Sequence, residues 1–398
     1  MKIISTMLQI LILSGKLFSI DLIEIERVAK GAKSVVLLDY DTKRILYARN
    51  PNLIFPPASL TKLVTIYTAL VEARKKNIDF KSSVPISGTA SYYNAPLNSS
   101  LMFLEEGQRV NFEELLKGLI IASGNDASVA IAEFIGGGDL SNFINLMNIN
   151  VLNLGLLNMH FVDTSGHSND NEITALEMAL FARAYIEKFE FMLNIHSLES
   201  FTYPRLENLG NTSTSKVLNL KQENKNLLIY SYPYADGLKT GYIKKSGLNL
   251  VATAKRDGMR LISVVLGVDK GVGNVGEKRR ALIAEKLFEY GFNSYSKFSF
   301  MVKSKERVYN GKEDTVDISS REPFKYIFTR DEIDRVKIES DIKDLVAPLS
   351  EDDIVGRAEF FLDNNKLGEL NLFSQCVEKL GFLNSVYKFF ANFFKREK

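Results

Sequence analysis

A serine and a lysine three residues apart stand at Ser59-Leu60-Thr61-Lys62. Positions three apart on a helix project from one face, so the hydroxyl and the amine come within reach of each other. A hydroxyl is a weak nucleophile until a base takes its proton, and a lysine amine can be that base. At a helix start, unpaired N–H groups and the positive dipole end favour a developing oxyanion. The same serine–lysine spacing recurs at Ser213/Lys216, Ser294/Lys297, Ser340/Lys343 and Ser385/Lys388. Any one copy reads equally as an N-cap serine with a solvated lysine. Ser59 is set apart by two motifs further along the chain, Ser123-Gly124-Asn125 and then Lys239-Thr240-Gly241, in that order.

The elements around these motifs can be read from pattern. Pro56 and Pro57 suit a rigid approach to a helix start, and Leu60, Leu63, Val64, Tyr67, Leu70 and Val71 recur at helical spacing behind it. Ahead of them, 20–32 reads as a short helix. Ser34–Asp39 and Arg44–Ala48 read as a hairpin turned at Asp41. Asn111 before Glu113 and Glu114 predicts an N-cap and a helix to Ile121, broken at Gly124. Helices are expected at 127–134, 141–153 and 174–189. Three strands come next, over 236–242, 248–254 and 260–267, with Asp257-Gly258 as a hairpin turn. A helix over 277–290 should end at Gly291. The fold class is therefore α+β: an antiparallel sheet beside a helical block.

The expected organisation has four parts. Residues 1–20 read as a secretory signal, with Lys2 ahead of an apolar run from Ile3 to Leu13. Residues 21–294 form the domain that carries the motifs. Residues 295–375, with short alternating strands, form a small β-rich domain whose core draws on Val302, Val308, Val316, Ile318, Val336, Ile338, Phe360 and Phe361. Residues 376–398 read as an amphipathic helix, with Leu380, Leu383, Tyr387, Phe390 and Phe394 on one stripe and five basic against two acidic residues. Such a helix suits docking on a membrane surface and is too short to span one.

Composition excludes several classes. The 398 residues carry 50 basic and 48 acidic side chains, a net +2, so nucleic acid is not an expected partner. Cys376 is the sole cysteine, and no internal disulfide can form. His160, His167 and His196 lack metal-ligand spacing, so neither a metal nor a cofactor is expected.

The ordered set of three motifs is the arrangement of serine acyl-transferases of the penicillin-binding protein and class A β-lactamase kind. Within it, the chain resembles the low-molecular-mass penicillin-binding proteins, the D-alanyl-D-alanine carboxypeptidases of the S11 serine peptidase type. The forms Pro57-Ala58-Ser59-Leu60-Thr61-Lys62, Ser123-Gly124-Asn125-Asp126-Ala127 and Asp236-Gly237-Leu238-Lys239-Thr240-Gly241 carry the resemblance. So do Leu261–Gly267, Ala347-Pro348 and Val355-Gly356. It implies a β-lactamase/transpeptidase-like domain, then a β-rich domain and an amphipathic anchor. Ser59 would be acylated, with Lys62 as general base and Ser123 relaying a proton to the leaving D-alanine. Asn125 would position the substrate amide or Lys62. Lys239 and Thr240 would face the substrate carboxylate. Gly241 completes the third motif, and the N–H groups of Ser59 and Tyr242 would form the oxyanion hole. Arg280, counted back from Gly291, falls where the family often has a carboxylate-binding arginine. The implied partners are peptidoglycan pentapeptides, β-lactams and the membrane surface, at the periplasmic face of the cytoplasmic membrane.

The chain departs from the family at Lys225, where arginine is usual, at His167, where leucine is commoner, and at the bulky Tyr242. Two rival readings remain. A class A-like β-lactamase needs a glutamate between the second and third motifs, and Glu172 lies in that interval. A non-catalytic scaffold would bind peptidoglycan and membrane without cleaving.

Overall fold

The computed structural model describes residues 9–10, 22–205, 208 and 219–381. The chain divides into two compact units, one spanning Ser19–Phe292 and the other combining Met1–Phe18 with Asn293–Lys398. Most of the expected signal, and the amphipathic stripe beyond Gly381, lie outside the described residues.

The first unit holds a five-stranded antiparallel sheet in the spatial order Ile45–Arg49, Ser34–Asp39, Met259–Val268, Gly247–Arg256, Ala235–Ile243. Ser34–Asp39 and Met259–Val268 are buried at every residue, so both faces of the sheet centre are covered. This explains their unbroken apolar runs, since alternation is needed only where one face meets water. Asp257 and Gly258 both take positive φ in the turn between Gly247–Arg256 and Met259–Val268, as a two-residue hairpin demands.

The helix at Thr61–Lys75 is more enclosed than its spacing suggests. Every residue from Thr61 to Ala73 is buried. Its polar positions are absorbed internally: Thr65 Oγ1 donates to the Thr164 carbonyl at 2.6 Å. Around it lie Asn125–Gly136, Leu140–Asn153 and Ala175–Phe189. The N-cap of Ala175–Phe189 is Thr174, whose hydroxyl accepts from Glu177 N.

Several local expectations need correction. The helix described over Leu22–Ala29 stops short of Ala32. Asn111 occupies the N-cap position of Phe112–Lys117, but its side chain makes no capping bond. The chain then widens to a π-helical turn over Gly118–Ala122. The break falls on Ser123, at φ +59°, and not on Gly124. The helix Val275–Ser294 runs through Gly291. There a Cβ would lie 2.5 Å from Leu261 Cδ1, so the glycine permits close packing on the sheet instead of ending the helix.

The second unit has a six-stranded and a three-stranded sheet around a core that includes Val302, Val308, Val316, Ile318 and Phe360. Val336 and Ile338 pack at its margin. Phe361 is only half-buried: neighbours on a strand face opposite ways, and the pairing register shifts between Phe360 and Phe361. Gln9–Ile10, inside the expected signal, pair with Phe300–Met301. Val377 bridges Leu349 and Lys379 bridges Gly311, so residues 377–379 extend this unit and do not begin a helix.

Candidate active site

Ser59 lies in a 3-10 turn, Ala58–Leu60, that feeds directly into the Thr61–Lys75 helix. One turn later, Lys62 is fully buried. Its Nζ donates to three oxygens: Ser59 Oγ at 2.9 Å, Asn125 Oδ1 at 2.7 Å and the Ser165 carbonyl at 2.7 Å. A buried ammonium is costly, and burial lowers the Lys62 pKa to about 7. Asp163 and Asp126 oppose that shift, and Lys225 adds to it.

The three partners decide what happens when Lys62 loses a proton. An amide oxygen and a backbone carbonyl can only accept. They retain the two remaining N–H groups. The lone pair is then left to Ser59, the one partner with a proton to give. The geometry is that of a base aimed at a nucleophile.

Two loops hold this arrangement. Asp163 accepts from the N–H groups of Ser165, Gly166 and Ser168 and from Asn171 Nδ2, which fixes the Ser165 carbonyl. Burial alone would raise the Asp163 pKa, but those donors hold it below the usual range. Gly166, at φ +81°, packs so tightly that a Cβ would lie 1.7 Å from the Ala58 carbonyl oxygen. On the other side Asp126 accepts from the N–H groups of Met102, Phe103, Leu104 and Ala127. That pins the loop whose Ser99 Oγ accepts from Asn125 Nδ2 at 3.0 Å.

The third motif lies on Ala235–Ile243, the edge strand of the sheet. Lys239 is 2% exposed, and its Nζ donates to Ser123 Oγ at 2.9 Å and to the Thr240 carbonyl at 3.1 Å. Burial lowers its pKa, and Lys62, Lys225 and Arg280 lower it further. Thr240 is buried beside it. A Cβ on Gly241 would lie 2.9 Å from the Pro57 carbonyl oxygen and 3.1 Å from Ser59 N, so only glycine lets this strand approach the nucleophile's turn. Arg260 grips Asp236 with two bonds, at 2.9 and 2.8 Å, where the strand begins.

The structure thus gathers Ser59, Lys62, Ser123, Asn125, Lys239, Thr240 and Gly241. Ser59, Asn125 and Tyr242 line an open cleft of about 850 Å³. Arg280 sits apart from that lining. It is buried, and its Nη1 donates to the Asn249 and Gly241 carbonyls, at 3.0 and 3.5 Å, so it braces the strands. Burial lowers its pKa to about 10. Glu172 is exposed, its backbone is paired with His160, and it does not line the cleft.

Residues 24–270 match the family described as D-alanyl-D-alanine carboxypeptidase, and residues 295–379 match that described as penicillin-binding protein 5, C-terminal domain. The chain belongs to the D-alanyl-D-alanine carboxypeptidase family. It is 33% identical over 350 residues to D-alanyl-D-alanine carboxypeptidase DacA of Haemophilus influenzae, covering 86% of this chain and 84% of that one. It is 33% identical over 340 residues to DacD of Escherichia coli, covering 83% and 82%. Among solved structures, penicillin-binding protein 5 of Haemophilus influenzae superposes with a TM-score of 0.72 at 32% identity, over 88% of this chain and 98% of that one.

Four supporting residues had no signal in the motifs. Asp163 and the Ser165 carbonyl act through backbone groups. Asn249 donates to Ser246 Oγ at 3.0 Å and to the Pro57 carbonyl at 3.2 Å, and accepts from Gly267 N at 2.9 Å. His196 is wholly buried; its Nδ1 lies 2.9 Å from the Leu238 carbonyl and its Nε2 lies 2.8 Å from Tyr185 Oη. A carbonyl can only accept, so Nδ1 carries the proton and Nε2 accepts from the tyrosine. Burial lowers the His196 pKa to about 4, and the ring stays neutral beside Lys239.

The base assignment sets a pH dependence. Only neutral Lys62 can take the Ser59 proton, so the rate of Ser59 acylation by a β-lactam should rise with pH and level off above about 7. Below that it should fall about tenfold per pH unit. Stopped-flow acylation between pH 5 and 9 checks this; a flat profile would reject Lys62 as the base.

Proposed function

We propose that the chain is a serine-type D-Ala-D-Ala carboxypeptidase acting on peptidoglycan stem peptides. The observation that carries the reading is the three-way bonding of Lys62, which leaves a lone pair for Ser59 alone. Ser59 Oγ attacks the carbonyl of the penultimate D-alanine as its proton passes to Lys62. The negative oxygen that forms is held by the backbone N–H of Ser59, in the turn that leads into the helix, and by that of Tyr242 on the edge strand. Ser123, which accepts from Lys239, passes its proton to the departing amine and takes up the proton held by Lys62, so that the lysine returns to its neutral form. Lys239 and Thr240 attract the terminal carboxylate. D-Alanine leaves, and water enters on the same base to free the peptide. β-Lactams carry the same acyl group and would be held covalently on Ser59.

Family membership supports this reading over the rivals. A β-lactamase of the class A kind needs a carboxylate to activate the deacylating water. Among the described residues none lines the cleft. A non-catalytic scaffold would have no use for two buried lysines, each costing several kcal/mol to desolvate.

Export also belongs to this proposal. The apolar run after Lys2 reads as the leader, and the substrate lies outside the cytoplasmic membrane. The basic, aromatic-rich segment after residue 381 would hold the enzyme peripherally on the periplasmic face. No helix among the described residues is long and apolar enough to cross a bilayer.

Incubation with diacetyl-Lys-D-Ala-D-Ala should release free D-alanine, and Ser59→Ala should abolish both release and labelling by fluorescent penicillin. Labelling of the unaltered protein without D-alanine release would reject the carboxypeptidase reading. Deletion of residues 382–398 should move the exported protein from the membrane pellet to the supernatant while D-alanine release persists. Sedimentation of the truncated protein with membranes would reject the anchor.

A further inference from the structure

The cleft carries more positive charge than one terminal carboxylate requires. Lys239, which meets that carboxylate in the reading above, is buried behind the lining. The lining itself adds Lys244, Lys245 and Lys270, all exposed. Among the described residues no aspartate or glutamate lines the cleft. The whole chain is nearly neutral, at +2, so general basicity does not account for a wall of one sign.

These three ammonium groups are available. Among the described residues none of them forms an ion pair. Lys270 rests over the Tyr242 ring, 4.5 Å from its centroid, which orients the charge without cancelling it. Their backbone is also anchored. Lys244 and Lys245 precede Ser246, and Asn249 ties Ser246 Oγ to the Pro57 carbonyl, two residues before Ser59. The same amide accepts from Gly267 N, three residues before Lys270. One buried side chain thus holds both arms of the cationic edge and the approach to the nucleophile in a fixed relation.

We propose that this edge is a subsite for a second carboxylate of the substrate, one carried by the stem peptide on the N-terminal side of D-Ala-D-Ala. The inference rests on the carboxypeptidase reading and adds to it a preference for stems with a free acid over stems in which that acid is amidated. Solvent-exposed pairs are individually weak, so three of them support a preference of about three- to tenfold. Such binding is made alike in the ground and transition states, so it should appear in KM and leave kcat alone. It should weaken with salt, because screening shortens to about 3 Å at 1 M.

Two synthetic pentapeptides ending in D-Ala-D-Ala test this, identical except that the second residue is γ-linked D-glutamate in one and its α-amide in the other. D-Alanine release is measured with the full chain at low and high salt. The free acid should win by about three- to tenfold in kcat/KM at low salt. The ratio should fall toward one in 1 M NaCl, in Lys244→Gln/Lys245→Gln and in Lys270→Gln. Because each protein is compared with itself on two substrates, a general loss of activity does not alter the ratio. A ratio near one in the unaltered enzyme, or one that survives both sets of substitutions, would overturn the subsite alone. No D-alanine from either peptide would overturn the carboxypeptidase reading with it.

Discussion

A lysine ammonium with no water around it is the constraint on which this molecule is built. Lys62 is sealed into the helical block, and three oxygens replace its hydration shell. Desolvation makes the neutral amine accessible near pH 7. The identity of the three acceptors then aims it. Remove either carbonyl-type acceptor and an N–H would turn toward Ser59, with no lone pair to receive its proton. Catalytic competence here is a matter of which neighbours cannot donate.

Much of the surrounding structure serves that geometry. Asp163 and Asp126 spend their carboxylates on backbone N–H groups, so that the Ser165 carbonyl and the Asn125 amide stay in place. Gly166 and Gly241 allow two backbones to press against the turn that carries Ser59. Lys239 is buried as well, and its bond to Ser123 draws that hydroxyl toward the edge strand. His196, held neutral by burial and oriented by the Leu238 carbonyl and Tyr185, supports the strand without adding a charge beside that lysine. Lys62 lowers the proton affinity of Lys239, and Lys225 lowers that of both lysines.

The motif side chains that the structure brings together were legible because their spacing is local. Ser59 and Lys62 share a helix face, and Ser123 and Lys239 stand in short motifs whose order is diagnostic. The sheet was legible from apolar runs and from Asp257-Gly258. Other features were hidden for a physical reason. Asn249 and His196 bond groups distant in the chain, and Asp163 bonds mostly backbone N–H groups within its own irregular loop; a sequence carries no periodic trace of either kind of partner. Arg280 was placed on the correct helix, but counting from Gly291 does not reveal which carbonyls its side chain meets. Gly291 itself misled because glycine has two uses, ending a helix and letting one pack closely. Val377–Lys379 precede the apolar stripe that begins at Leu380, and they bridge to Leu349 and Gly311 instead of starting a helix.

The central claim concerns the charge of one amine, and that can be observed without substrate. Lysine labelled at Cε and Nζ, followed by NMR from pH 5 to 10 and assigned with Lys62→Arg, reports the Lys62 titration directly. The account predicts a midpoint at about 7. A side chain that stays protonated until about pH 10, like a solvated lysine, would contradict it.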